Sequence, residues 1–205
     1  ETTLEEHLRI AQHHQSALVT AFHRGIGGMQ LQQGKPVVAG HHLRLALDRV
    51  VTGQQPKDEI ELYLLLTRAA LMRTEEFAAQ AYVEHAAALA HKHILPFWLQ
   101  SRIAMYQAMV EDQLAGQSGA HWSRALQAAQ DSGATALIAQ IRLRASLSAV
   151  AHRAIGRATQ LVAEARASIN EGPELGGAVR ALLNEAEGTI ANHWQRHRDA
   201  RTHWM

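Results

Sequence analysis

Residues 57–72 read KDEIELYLLLTRAALM, and this stretch decides the fold. Ile60, Leu64, Ala70 and Leu71 fall near one stripe of a helix, and Leu62, Leu65, Leu66 and Ala69 widen that stripe. So broad an apolar face belongs to a helix packed on two sides. Pro56 stands just before it, and Asp58 and Glu59 lie where the helix dipole favours negative charge.

The same punctuation recurs along the chain. Pro36, Pro96 and Pro173 sit at helix boundaries, as do Gly34, Gly53, Gly116, Gly119, Gly133 and Gly172. Between these marks the spacing predicts helices over 3–33, 37–52, 57–73, 75–93, 97–115, 119–132, 134–151, 154–171 and 174–200. Gly25, Gly27 and Gly28 mark where the first would weaken or break, while Gly27 fits the small-residue slot of a helical repeat. Composition agrees with close-packed helices. Of 205 residues, 37 are alanine, the best helix former, against three tyrosines and three phenylalanines. A β-sandwich or barrel is not expected.

A helical-hairpin repeat follows from the alanines. The second helix of each pair carries Ala46-Leu47, Ala88-Leu89, Ala125-Leu126 and Ala165-Arg166, at steps of 42, 37 and 40 residues. Seven residues earlier stand Ala39, Ala81, Ser118 and Ala158. Small residues at that spacing let paired helices approach closely. The chain therefore reads as one helical-repeat domain over 1–205, with repeats at 15–53, 57–93, 96–133 and 134–172 and a final helix over 174–205. The fold class expected is all-α, a right-handed superhelix of antiparallel helix pairs with about four and a half repeats. Glu1 rather than methionine opens the sequence, which reads as a piece of a longer protein.

The first pair resembles the tetratricopeptide pattern in Ile26-Gly27, Gly34, Ala39, Leu43 and Ala46-Leu47. The later stretches AAALAHKHILPFWLQ (86–100), SRALQAAQDSGATA (123–136) and LVAEARASI (161–169) are similar to a longer variant of that repeat. It is the variant of MalT-like activators of the LuxR family, which carry an ATPase module, and of related cyclase- and kinase-type signalling proteins. Leu95 to Leu99 followed by Ser132-Gly133-Ala134 is its most specific part, and the likeness covers roughly 20–170. Arg68 and Ala145 depart from the pattern, since a large apolar residue is usual at both places. The resemblance implies a bacterial, cytoplasmic, non-catalytic module that binds an inducer or a regulatory protein. No nucleotide-binding loop and no LuxR-type DNA-binding segment is recognised in the sequence, so neither ATP nor DNA binding is assigned to it.

Other chemistry finds little support. Cysteine is absent, which removes disulfides, thiol catalysis and cysteine-rich zinc modules. Twenty basic and 19 acidic residues give a formal charge of +1, so no bulk field favours nucleic acid or an anionic membrane. No apolar run has the length of a membrane span. Glu5-Glu6, Glu75-Glu76 and Glu111-Asp112 fit helix ends better than acid–base catalysis. Ser101, Ser123, Ser146 and Ser148 lack a nucleophile-elbow frame. No enzyme activity and no cofactor is expected.

Histidine is the outlier at 14 residues. The adjacent pairs His13-His14 and His41-His42 diverge on a helix by about 100° and do not chelate by themselves. His193 and His197 share a face, with His203 and Asp199 beyond, yet no full ligand set follows, so no metal is expected. The tail HWQRHRDARTHWM, with Arg196, Arg198, Arg201, Trp194 and Trp204, reads as a capping or docking helix rather than a nucleic-acid site. Self-association through a terminal helix is a further partner reading.

If the repeat register holds, the inner wall of the array carries Arg24, Tyr63, Arg73, Gln100, Gln107 and Gln140. Forked guanidinium donors, amides that both donate and accept, and a phenol suit a sugar-like effector or a peptide segment. Phe97, Trp98 and Trp122 read as packing residues between pairs. General protein docking by a repeat module is the alternative function.

Overall fold

The computed structural model describes the backbone of residues 2–50, 55–114, 118–171 and 176–203, and side chains over 17–50, 55–114, 118–169 and 176–195. Gly53, Gly116, Gly172 and Pro173 lie outside the described residues. So do the side chains of Glu5, Glu6, His13 and His14 and those of the tail from Arg196 to Trp204.

Among the described residues the fold is all-α, with nine helices and no strand: α1 (Thr2–Gln32), α2 (Pro36–Leu47), α3 (Pro56–Met72), α4 (Glu76–Ala90), α5 (Phe97–Gln113), α6 (Gly119–Ser132), α7 (Thr135–Ala151), α8 (Ile155–Glu171) and α9 (Gly177–His203). None of them is long and apolar enough to cross a membrane. Two compact units divide the chain. One is Glu1–Leu95 with Gln113–Gly116, and the other is Pro96–Asp112 with Gln117–Met205.

In the first unit α2 packs on both α1 and α3, and α3 packs on α4. Leu31, Ala39, Leu43, Ala46, Leu62, Leu66 and Ala69 form one buried cluster, flanked by Leu47, Val50, Leu65 and Tyr82. The apolar stripe of residues 57–72 is thus buried as its breadth requires: Ile60, Leu62, Leu64, Leu66, Ala69 and Ala70 are at most 2% exposed. In the second unit α7, α8 and α9 enclose Ala139, Leu143, Val162, Ala165, Ile169, Leu182 and Ala186. Buried Ser101 on α5 donates its hydroxyl to the Ala125 carbonyl of α6 at 2.7 Å, a contact that only a small side chain permits.

Three hairpins turn in the same way. After α1, Gly34 adopts a left-handed φ of 72° and the Lys35 N–H returns to the Gln30 carbonyl at 2.9 Å. After α3 and α7 the same six-to-one bond, Glu75 to Ala70 at 3.0 Å and Ala154 to Ala149 at 2.8 Å, closes over Thr74 (φ 57°) and Arg153 (φ 62°). Neither is a glycine, so the sequence carries no flag at these two turns. The α2 helix stops at Leu47, short of the expected 52, because Arg49 and Val50 bond three residues back to Ala46 and Leu47.

Two further expectations are corrected. The α1 helix runs unbroken through Gly25, Gly27 and Gly28. Tertiary contact holds it: a Cβ on Gly27 would lie 2.6 Å from Leu43 Cγ, so the missing side chain is what lets α2 approach. On α4, Ala81 and Ala88 are exposed, and the buried positions are Ala79, Val83 and Ala86. Two residues along a helix are about 200° apart, so a slip of two assigns the opposite face. With that slip removed, fully buried Ala46, Ala86, Ala125 and Ala165 recur at steps of 40, 39 and 40 residues. Buried Ala39, Ala79, Ser118 and Ala158 each precede them by seven.

Candidate functional site

A concave pocket of about 440 Å³ lies between the first half of α3 and the end of α4. Its lining is Glu59 and Tyr63 from α3 with Glu84, His85, Ala88, Leu89 and Lys92 from α4 and the turn after it. That volume lies within the range of small-molecule sites. Helix periodicity explains the grouping. Glu59 and Tyr63 are one turn apart, and so are Glu84, Ala88 and Lys92, so two facing ridges each present one residue per turn.

The polar groups are held in place. Tyr63 stacks obliquely near His85, ring centroids 5.3 Å apart, and near Tyr82 at 6.4 Å. Burial raises the Tyr63 phenol above its ordinary pKa, and the nearby charges of Glu59 and Tyr82 add to the effect. Like any tyrosine phenol it is neutral in the physiological range, where it both donates and accepts. Glu59 is only 5% exposed. His85 Nδ1 sits 2.8 Å from the Ala81 carbonyl; donation to that oxygen leaves Nε2 as the acceptor of the neutral ring. Gln80 donates to Glu84 Oε1 at 2.8 Å, which orients that carboxylate on the rim. Ala88 and Leu89 supply an apolar floor.

Of the six residues expected to line a groove, Tyr63 lines this pocket. Arg24 is engaged with α3 instead, its Nη1 at 2.5 Å from Asp58 and 3.2 Å from Glu61. Arg73 ends α3 and reaches Glu75 at 2.5 Å, close against Gly40 of α2. Gln100 is exposed on α5, Gln107 half-buried on the same helix, and Gln140 half-buried on α7. These three glutamines belong to the second unit, whereas Arg24, Tyr63 and Arg73 belong to the first. Of the expected packing aromatics, Trp122 is buried and donates from Nε1 to Asp112 at 3.2 Å. Trp98 is half-buried under Arg102, and Phe97 is half exposed.

Glu59, Glu84, His85, Leu89 and Lys92 were not among the expected site residues. A signal that bears on them is the position of Val83. The register that buries Ala79, Val83 and Ala86 turns Ala88 and its neighbours toward the pocket, although Phe77, one turn before Ala81, gives the opposite face a large apolar residue as well. No family model matches the chain, and no curated protein matches it.

Proposed function

We propose that the chain is a non-catalytic, effector-sensing helical-repeat domain whose α3–α4 pocket takes a small, hydroxyl-rich, sugar-like molecule. The observation that carries this reading is buried Glu59 beside the Tyr63 phenol in an open pocket of about 440 Å³. A carboxylate accepts from ligand hydroxyls, the phenol both donates and accepts, and the Tyr63 ring offers an apolar face for C–H groups. The regular recurrence of Ala46, Ala86, Ala125 and Ala165 supports repeat pairs stacked in a right-handed superhelix. Together with the likeness to MalT-like regulators, it favours a cytoplasmic bacterial transcriptional regulator as the parent. Occupancy would bias that parent only through a difference in affinity between two of its states.

Thermal-shift and calorimetric titration against monosaccharides, disaccharides and polyols tests the proposal. Saturable binding by one of them, weakened by Tyr63→Ala with helicity intact, is the expected outcome; absence of binding across the panel would contradict it.

A second reading, protein docking as in cyclase- or kinase-type signalling proteins, is favoured by a different surface. Leu18, Phe22 and Met29 lie on one face of α1 and are 72%, 66% and 47% exposed. Concentration-dependent self-association, abolished by Leu18→Glu with Phe22→Glu, would select this reading.

A further inference from the structure

Acceptors outnumber donors in the α3–α4 pocket. Glu59 and Glu84 bring carboxylates, which only accept. A carboxylate offers about four lone-pair sites, so the bonds that these two make within the fold still leave room for a ligand. With His85 Nδ1 donating to the Ala81 carbonyl at 2.8 Å, Nε2 of the neutral ring is a further acceptor. The donors among the lining side chains are the Tyr63 hydroxyl, which also accepts, and the Lys92 ammonium on the exposed turn after α4. Charge runs the same way. The lining holds two carboxylates and one ammonium, and Glu59 is only 5% exposed whereas Lys92 reaches solvent. An anion withdrawn from water acts more strongly on its surroundings than one in solvent. Tyr63 feels it: burial first, and the Glu59 charge second, raise the phenol above its ordinary pKa. A potential that retains a proton on a phenol also retains one on an amine. The Tyr63 ring, fixed by His85 at 5.3 Å and Tyr82 at 6.4 Å, adds the attraction of a π face for a cation.

Resting on the sugar-like reading of this pocket, we propose that its occupant carries a protonated amine beside its hydroxyls, an amino sugar rather than a neutral one, and that Glu59 selects the charge. A primary ammonium brings three donors and no acceptor, which complements an acceptor-rich lining. A hydroxyl in the same place brings one donor and an acceptor, and only Tyr63 and Lys92 are there to meet that acceptor. The remaining hydroxyls donate to Glu84 and to His85 Nε2, and the C–H groups of the sugar lie over Ala88 and Leu89. Against Glu59 the ammonium forms a charge-assisted hydrogen bond, roughly twice as strong as a neutral one.

Calorimetric titration of the intact chain at about pH 7 with glucosamine, glucose and N-acetylglucosamine tests the proposal. The three share one hexose frame and differ only at carbon 2, which carries an ammonium, a hydroxyl or an uncharged amide. Glucosamine is expected to bind at least about tenfold more tightly than glucose, and N-acetylglucosamine to fall back toward glucose. Glu59→Gln should bring the ratio of glucosamine to glucose affinity close to one, and an unchanged ratio in that variant removes Glu59 as the selecting residue. The wild-type comparison needs no variant to fold. Glucosamine no tighter than glucose, or N-acetylglucosamine as tight as glucosamine, overturns the proposal and leaves the sugar-like reading in place. Absence of binding across the whole panel of sugars and polyols removes that reading, and the proposal with it.

Discussion

Gly27 on α1 and Leu43 on α2 approach so closely that a Cβ on the glycine would lie 2.6 Å from Leu43 Cγ and 3.4 Å from the Ala39 carbonyl oxygen. Leu43 is fully buried and has no free direction in which to retreat. Gly27→Ala is therefore expected to destabilise the chain by about 1–3 kcal/mol through overpacking, despite alanine's better helix propensity. Gly25 and Gly28 meet nothing within 4 Å, so alanine at either should stabilise by up to about 1 kcal/mol. Urea denaturation of the three variants checks the contrast. Equal responses would mean that α1 and α2 do not pack as described.

Thr74 holds a left-handed backbone, which is costly for a β-branched residue. Its hydroxyl bonds the Arg73 carbonyl at 2.6 Å, a partial offset. Thr74→Gly should relieve the strain and stabilise by about 1 kcal/mol, whereas the same change at an exposed helical position costs about that much. Thermal unfolding of Thr74→Gly beside Gln127→Gly provides the comparison.

The α4 register gives a paired prediction. Ala79 and Ala86 are fully buried, so leucine at either overpacks the interior and lowers stability by about 1–3 kcal/mol. Ala88→Leu instead grows into the pocket and should leave stability within about 0.5 kcal/mol of wild type while removing ligand binding. The reverse order of stabilities would restore Ala88 as a helix-contact residue.

Tyr63 makes stability depend on alkaline pH. Its folded pKa lies above its unfolded value, so the folded chain holds the phenolic proton more tightly. The associated stability is fully present below about pH 10 and is lost as pH rises from there through the folded pKa. Denaturant midpoints measured upward from pH 9 should fall more steeply for the wild type than for Tyr63→Phe. Parallel slopes would remove the account of a half-buried phenol beside Glu59.

Residues 57–72 and the alanine content made the helices and their order legible, because period and propensity are local properties. The face of α4 was harder to read. Alanines at 78, 79, 81, 86, 87, 88 and 90 satisfy more than one seven-residue spacing, and both faces carry a large apolar residue, Val83 on one and Phe77 on the other; in the fold Val83 is buried and Phe77 is exposed. The partners of the expected site residues were hidden for a related reason. Arg24 has the chemistry of a ligand-binding residue, but Asp58 and Glu61, more than 30 positions away, occupy its guanidinium. Lys92 and Glu59 become neighbours of one cavity only once α3 and α4 fold against each other. Thr74 and Arg153 were hidden because turn geometry usually announces itself through glycine.

The most direct test of the α3–α4 pocket is amide chemical-shift mapping on the isotopically labelled chain, titrated with the sugar or polyol that gives the largest thermal shift. The account predicts saturable shifts centred on Glu59, Tyr63, Glu84, His85, Leu89 and Lys92, and their loss in Ala88→Leu. Shifts centred on Leu18, Phe22 and Met29, or spread over α5 to α9 with the pocket unmoved, would contradict it.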